Sequence, residues 1–156
     1  MQSLTILNTR EIKEVQQILR EEFGAALEPE YAYLRNDKDK LFIISKDLAR
    51  IEWKNLLIDK VGLYLGELHD HHFRLSKEGA QLFVRQADKQ KLKNVIALTM
   101  AEVQEYCKGK DLEKDLGPEN RLVIIQYESD TLGCAQYKEG KILNFLPKIH
   151  RGEVIL

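Results

Sequence analysis

Cysteine, proline and tryptophan are scarce in this chain: two, three and one, respectively, among 156 residues. Cys107 and Cys134 lie outside any CxxC pair, which argues against a disulfide-stapled secreted scaffold and against a zinc site of the usual thiolate spacing. A reduced, cytoplasmic setting is the expectation. Long apolar runs are missing as well. None approaches the roughly 20 residues that span a bilayer, and the start, MQSLTILNTREIKE, has no basic stretch leading into an apolar one, so neither a membrane span nor a signal peptide is expected. Net charge is nearly absent, at −1, which speaks against a generally polybasic nucleic-acid binder. No GxGxxG or Walker loop is there to cradle phosphates, no G-x-S-x-G to present a serine, and no HExxH to hold zinc. With cofactor loop, metal set and nucleophile all missing, no cofactor and no catalytic residue are assigned, and binding is favoured over catalysis.

What is present is a globular composition, 44% hydrophobic and 31% charged, in a length that suits one domain or two small ones. The charge is unevenly spread. Between 21 and 39 six carboxylates face two cations; between 85 and 93, Arg85, Lys89, Lys91 and Lys93 face only Asp88. Between 138 and 151, Lys138, Lys141, Lys148 and Arg151 face only Glu139. Such asymmetry allows one basic face on a near-neutral protein.

The pattern along the chain predicts a short strand at 4–7, then a helix with Thr9 as N-cap and Ile12, Val15, Leu19 and Phe23 on one face, ended by Gly24. Tyr31–Arg35 and Leu41–Ile44 read as strands about an Asn36–Asp39 turn. Ser45 caps a short helix with Leu48, Ile51 and Leu56 facing inward, and Trp53 is expected in core or interdomain packing. Val61–Leu65 is a strand. Ser76 caps a further helix, in which Gly79 is a mild local cost. The polar, basic stretch 86–93 is the best domain boundary. Beyond it come a strand at Val95–Leu98 and a capping box, Thr99 with Glu102, opening a helix whose Met100, Val103 and Cys107 face the core. A β-meander follows: Leu122–Tyr127, Leu132–Tyr137 and Lys141–Leu146, with turns at 129–131 and 138–140 and a stop at Pro147. Glu153–Leu156 reads as a last short strand.

The sharpest enzyme-like feature is His69-Asp70-His71-His72, which holds three of the four histidines. In a strand, residues 69 and 71 share one face and 70 and 72 the other. No distant HxxxH or CxxC completes a four-ligand set, so a polar turn entering a strand is the expectation and no metal ligand is assigned. A metal-dependent enzyme at His69–His72 stays as the remote alternative.

Three stretches resemble known families. The strand VIAL, the helix TMAEVQEYCKGKDL ending in Lys108-Gly109, the strand RLVIIQYE and then TLGCAQY resemble a PUA domain, a compact RNA-binding β-barrel. The resemblance places Lys108 and Gly109 at the edge of an RNA groove. PUA domains carry a Pro-Gly in the loop before the meander, where this chain has Gly117-Pro118. The middle, from KLFIISKDLARI to HDHHFRLSKEGAQLF, resembles the domain ahead of the PUA domain in the Nip-seven type of ribosome-biogenesis factor, on His71, Phe73, Arg74 and Leu75. The end, LGCAQYKEGKILNFLPKIHRGEVIL, is similar to the PUA-like tail of the Sun/Fmu family of RNA 5-methylcytosine methyltransferases, on Leu146-Pro147-Lys148 and Arg151. The cofactor loop and catalytic cysteines of that family are absent, so only its RNA-binding appendage is implied.

Together these imply an α+β protein: an N-terminal α/β pre-PUA domain over 1–90 and a small PUA-type β-barrel over 91–156. The function implied is non-catalytic RNA binding in rRNA maturation or modification. Lys138, Lys141, Lys148, His150 and Arg151 are the expected RNA-backbone contacts, with Lys108 and Gly109 at the groove edge. The alternative is a protein-interaction adaptor that recruits an RNA-processing or methylating enzyme.

Overall fold

The computed structural model describes residues 3–28, 30–52 and 61–152. Trp53, Leu56 and Glu153–Leu156 lie outside them. The described residues form two five-stranded sheets and three α-helices, which is the expected α+β class.

The first sheet has the order β1-β2-β3-β4-β5, every pair antiparallel: β1 Leu4–Ile6, β2 Tyr31–Asn36, β3 Lys40–Ser45, β4 Leu63–His69 and β5 His72–Leu75. Helix α1, Thr9–Phe23, lies between β1 and β2 in the chain and buries Val15, Leu19 and Phe23. Its N-cap is Asn8, one residue earlier than expected. Asn8 Oδ1 accepts the Glu11 N–H at 3.0 Å, and Glu11 accepts the Asn8 N–H at 2.8 Å. Asn is the better cap, so Thr9 becomes the first helical residue. Gly24, at φ +85°, closes the helix, and an added Cβ there would lie 1.9 Å from the Lys91 carbonyl oxygen. Only glycine meets both demands.

After β3 the described part of the expected short helix is a 3₁₀ turn, Leu48–Arg50. Leu48 and Ile51 are each 47% exposed, so neither faces inward among the described residues. Helix α2, Lys77–Gln86, is capped by Ser76 Oγ, which accepts the Gly79 N–H. It is wedged between β4 and the second sheet. Gly79 is no mere cost: a Cβ there would sit 2.1 Å from the Leu65 carbonyl oxygen, so the glycine lets α2 press onto β4.

The second sheet has the order β6-β8-β9-β10-β7: β6 Val95–Ala97, β7 Leu112–Glu113, β8 Arg121–Tyr127, β9 Asp130–Lys138 and β10 Lys141–Leu143. β6 runs parallel to β8; the other neighbours are antiparallel. The meander is β8-β9-β10, and the two-residue strand β7 closes its far edge. β10 stops three residues short of the expected Leu146, because Asn144 leaves the ladder and turns its side chain to other carbonyls.

One core cluster gathers Leu19, Phe23, Leu65, Phe73 and Phe83, with Phe23 and Phe83 edge to face at 5.9 Å. It also takes in Ile124 and Cys134 from β8 and β9. A second cluster, Val103, Tyr106, Val123, Ile125, Ala135, Tyr137 and Ile142, packs the helix over 100–107 against the second sheet. The stretch between α2 and β6 is stitched down as well: Lys93 N–H donates to the Phe23 carbonyl at 3.0 Å, and Asn94 Nδ2 to the Glu22 carbonyl. Arg85, Lys89, Lys91 and Lys93 stay exposed along it.

Candidate nucleic-acid interface

Helix α3, Met100–Cys107, starts from the expected capping box: Thr99 Oγ1 accepts the Glu102 N–H at 3.2 Å, and Glu102 accepts the Thr99 N–H at 3.0 Å. Lys114 Nζ donates to both Glu102 carboxylate oxygens, at 3.1 and 3.0 Å. Burial alone raises the Glu102 pKa, but the Thr99 N–H and Lys114 outweigh it and hold the carboxyl below its ordinary range. Val103 and Tyr106 take the core positions. Met100, the first residue of the helix, is 49% exposed although it shares a face with Val103, and Cys107 is half-buried.

The helix ends at Lys108, and Gly109 follows at φ +88° with its N–H on the Tyr106 carbonyl at 2.9 Å. Here the chain's exit returns. Lys148–His150 form a 3₁₀ turn after Pro147. Arg151 then lies against Gly109: an added Cβ there would be 2.6 Å from Arg151 Cδ. Arg151 Nε donates to the Leu146 carbonyl at 3.0 Å, and the Gly152 N–H donates to the Cys107 carbonyl at 2.8 Å. Asn144 fastens the other side. Its Nδ2 donates to the carbonyls of Tyr106 at 2.6 Å and Lys110 at 2.9 Å, and its Oδ1 accepts the Leu146 N–H at 2.9 Å.

Of the expected contacts, Lys108, Gly109 and Arg151 are thus brought together, with Lys148 and His150 exposed on the adjoining turn. Between those two, Ile149 is 88% exposed. Lys110 joins the group unexpectedly. It pairs with Glu105 at 2.7 Å and Lys108 does so at 3.6 Å; the Lys110 hydrogen bond is the main reason the Glu105 carboxyl is held down. Lys138 and Lys141 are elsewhere. They face each other across β9 and β10 at the hairpin end, with Glu139-Gly140 as the turn, while the exit leaves from the opposite end of β10. The loop before β8 is held by Tyr137, whose hydroxyl donates to the Gly117 carbonyl at 2.6 Å and accepts the Leu116 N–H at 3.0 Å. Arg121 donates to the carbonyls of Glu119 and Leu116 in the same loop.

The histidine cluster does not converge. Asp70 and His71 form the β4–β5 turn with positive φ, His69 pairs with Glu67 at 3.0 Å, and His72 pairs with Glu22 at 2.6 Å. Among the described residues no three His, Cys, Asp or Glu side chains gather as a metal site. Both thiols are suppressed by burial, Cys107 upward from its ordinary value and Cys134 up to about 12.

Residues 93–151 match the family described as the methyltransferase RsmF PUA domain. The C-terminal part of this chain is a PUA domain. The match agrees with the Sun/Fmu-type tail read from the sequence and contains Lys108, Gly109 and the whole exit turn. Two relatives are each named "Ribosomal RNA small subunit methyltransferase F": one from Aeromonas hydrophila, 25% identical over 136 residues, and one from Aeromonas salmonicida, 26% identical over 139 residues. Each alignment covers 87% of this chain, so the likeness reaches well beyond the PUA domain into the first sheet. The chain spans only 28% of the length of either relative. Among solved structures, a hypothetical protein from Pyrococcus horikoshii OT3 superposes with a TM-score of 0.53 at 15% identity, covering 97% of this chain and 90% of that one. That likeness speaks to the fold, PUA domain and preceding sheet together.

Proposed function

We propose that this chain is a non-catalytic RNA-binding protein that acts on ribosomal RNA or its precursors in the cytoplasm. In this reading an N-terminal unit over 1–90 orients a PUA unit over 91–156. The observation that carries it is the PUA domain whose helix end, Lys108-Gly109, meets the exit turn that carries Lys148 and Arg151, with His150 between them. Cations on an exposed rim suit phosphates, which fix position without reading sequence. Gly109 leaves the room in which Arg151 packs onto the helix end, where a side chain would block it. Lys138 and Lys141, at the far hairpin end, are read as an outlying contact for a longer RNA. For cysteine chemistry in particular, burial raises both thiols, half-buried Cys107 and buried Cys134, which disfavours a thiolate nucleophile at neutral pH.

The test is fluorescence anisotropy of the purified chain against a hairpin fragment of small-subunit rRNA, a single-stranded RNA and a matched DNA, at low and moderate salt. Binding that prefers RNA and falls with salt supports the reading, and Lys108→Ala with Lys148→Ala weakens it and flattens the salt slope by about two phosphate contacts. Absence of RNA binding at low salt rejects it.

A second reading is favoured by the names of the relatives, which are methyltransferases matched over a minor part of their length. Here the chain is an adaptor that brings RNA to a processing or methylating enzyme. A protein partner that co-purifies after nuclease treatment supports that reading.

A further inference from the structure

A cleft of about 140 Å³ separates the first sheet from the PUA domain. From one side it is lined by Tyr64, Glu67, Arg74 and Lys77, and from the other by Phe145 and Pro147. Arg74 lies with its guanidinium carbon 3.8 Å from the centre of the Phe145 ring, a stacked cation–π contact that spans the junction. That contact uses one face of the guanidinium. Among the described residues Arg74 has no ion-pair partner and donates no hydrogen bond from its five N–H groups, although it is half-buried. Lys77 is half-buried and unpaired in the same way.

No carboxylate of the cleft lies within ion-pair distance of these cations, although Arg74 helps from further off to hold the Glu67 carboxyl down. Glu67 is already engaged: it accepts the Tyr64 hydroxyl at 2.8 Å, lies 3.0 Å from His69 Nε2 and is 3.9 Å from Lys40 Nζ. Glu78 is exposed to solvent and pairs with neither cation. Two half-buried cations without an ion pair, one of them over an aromatic ring, form an incomplete site: a planar group on the open face of Arg74 and an anion near Lys77 would complete it. The volume selects the size of the planar group. A cavity of about 150 Å³ holds one benzene ring, whereas drug-sized ligands need about 300 Å³ or more. The cleft also adjoins the cationic exit, because Leu146 and Pro147 line it and Lys148 follows directly.

We infer that this cleft holds one unpaired base of a bound RNA, stacked on the outer face of Arg74 with its phosphate toward Lys77. The inference rests on the RNA-binding reading and adds to it a base subsite made jointly by the first sheet and the PUA domain. Arg and aromatic planes are common platforms for splayed-out RNA bases. Glu67 and Tyr64 stand where the edge of such a base would meet polar groups.

The experiment is a scan of the RNA against variants of the protein. Anisotropy is measured with a hairpin RNA bearing a single-stranded overhang, and with the same RNA carrying one abasic site moved through loop and overhang. One abasic position is expected to weaken binding to the unaltered chain about tenfold. That difference collapses in Arg74→Lys, which keeps the charge and loses the plane, and in Phe145→Leu, which keeps apolar bulk and loses the ring. Melting curves identify any variant that fails to fold, and the remaining one decides. A flat scan on an RNA that still binds overturns the base subsite and leaves RNA binding standing. A position whose abasic cost persists in the folded variants places the base elsewhere and also overturns it. Absence of all RNA binding overturns both readings.

Discussion

Gly109 and Arg151 occupy the same small space, 42 positions apart in the chain: a Cβ on Gly109 would lie 2.6 Å from Arg151 Cδ, 2.7 Å from Nε and 2.9 Å from Cζ. The exit of the PUA domain is thereby set down on the end of its own helix. The contact also explains why the glycine stands here, since φ is +88° and the neighbouring side chain covers its Cα.

Gly109→Ala is therefore expected to act twice. The left-handed backbone costs about 1–2 kcal/mol for any residue with a Cβ. The methyl also displaces the Arg151 side chain from the Leu146 carbonyl, a loss of about 1 kcal/mol. The first effect survives in an Arg151→Ala background and the second vanishes there. Urea unfolding of the two single variants and the double variant separates them. Equal costs of Gly109→Ala in both backgrounds would show that Arg151 is not displaced.

Asn144 is the clamp on the opposite side of the exit. Asn144→Ala removes three side-chain hydrogen bonds and leaves the Tyr106 and Lys110 carbonyls without that donor. A loss of about 2–3 kcal/mol is expected. Asn144→Asp is expected to be at least as damaging near neutral pH, since it keeps the acceptor for the Leu146 N–H but turns an oxygen toward two carbonyl oxygens. Chemical denaturation of both variants checks the order, and an innocuous Asp would contradict it.

Gly79→Ala offers a sharp contrast with helix propensity. Taken by itself, an alanine inside a helix improves stability by about 1 kcal/mol over glycine. In this fold its methyl would press on the Leu65 carbonyl oxygen from 2.1 Å, and that oxygen is backbone, already accepting the Ser76 N–H at 2.8 Å. The expected result is a net loss of about 2–3 kcal/mol, as in other overpacked contacts. A stabilised variant in thermal melting would mean that α2 can lift from β4 without penalty.

The three glycine and asparagine positions also mark the limit of what the sequence discloses. Periodicity and caps located α1, α2, α3 and the meander, because Val15, Leu19 and Phe23, or Thr99 with Glu102, act within a few residues of one another. The helix end at Lys108-Gly109 and the basic exit were legible as separate pieces. Their meeting was not, since it depends on how Asn144 leaves the ladder. Glycine at 79 carries no local sign that Leu65 lies above it. Arg74 on Phe145 is likewise a contact between distant segments, and nothing near either residue announces it. Met100, Leu48 and Ile51 were misplaced for the opposite reason: an apolar residue near a helix end need not reach the core, and here each is about half exposed.

Glu22 and Glu102 should give the stability curve opposite slopes on the two sides of pH 4.5, their ordinary value. Burial lifts the Glu22 carboxyl above that value despite the Phe73 N–H at 2.9 Å and His72 at 2.6 Å. The folded chain then takes up the Glu22 proton before the unfolded chain does, so this residue adds stability as pH falls toward 4.5. For Glu102 the shift is downward, so the unfolded chain takes its proton first. Its contribution is complete above 4.5 and is lost as pH falls through the depressed folded value. Glu22→Gln keeps an oxygen for the Phe73 N–H and removes the buried charge, and it should raise the melting temperature at pH 7 and erase the gain on mild acidification. Glu102→Gln should lower the melting temperature at pH 7 and reduce the fall below pH 4. Thermal melts from pH 7 to 3 on the two variants test each slope separately, and a Glu22→Gln curve that still climbs as pH falls from 7 toward 4.5 would assign that gain to another group.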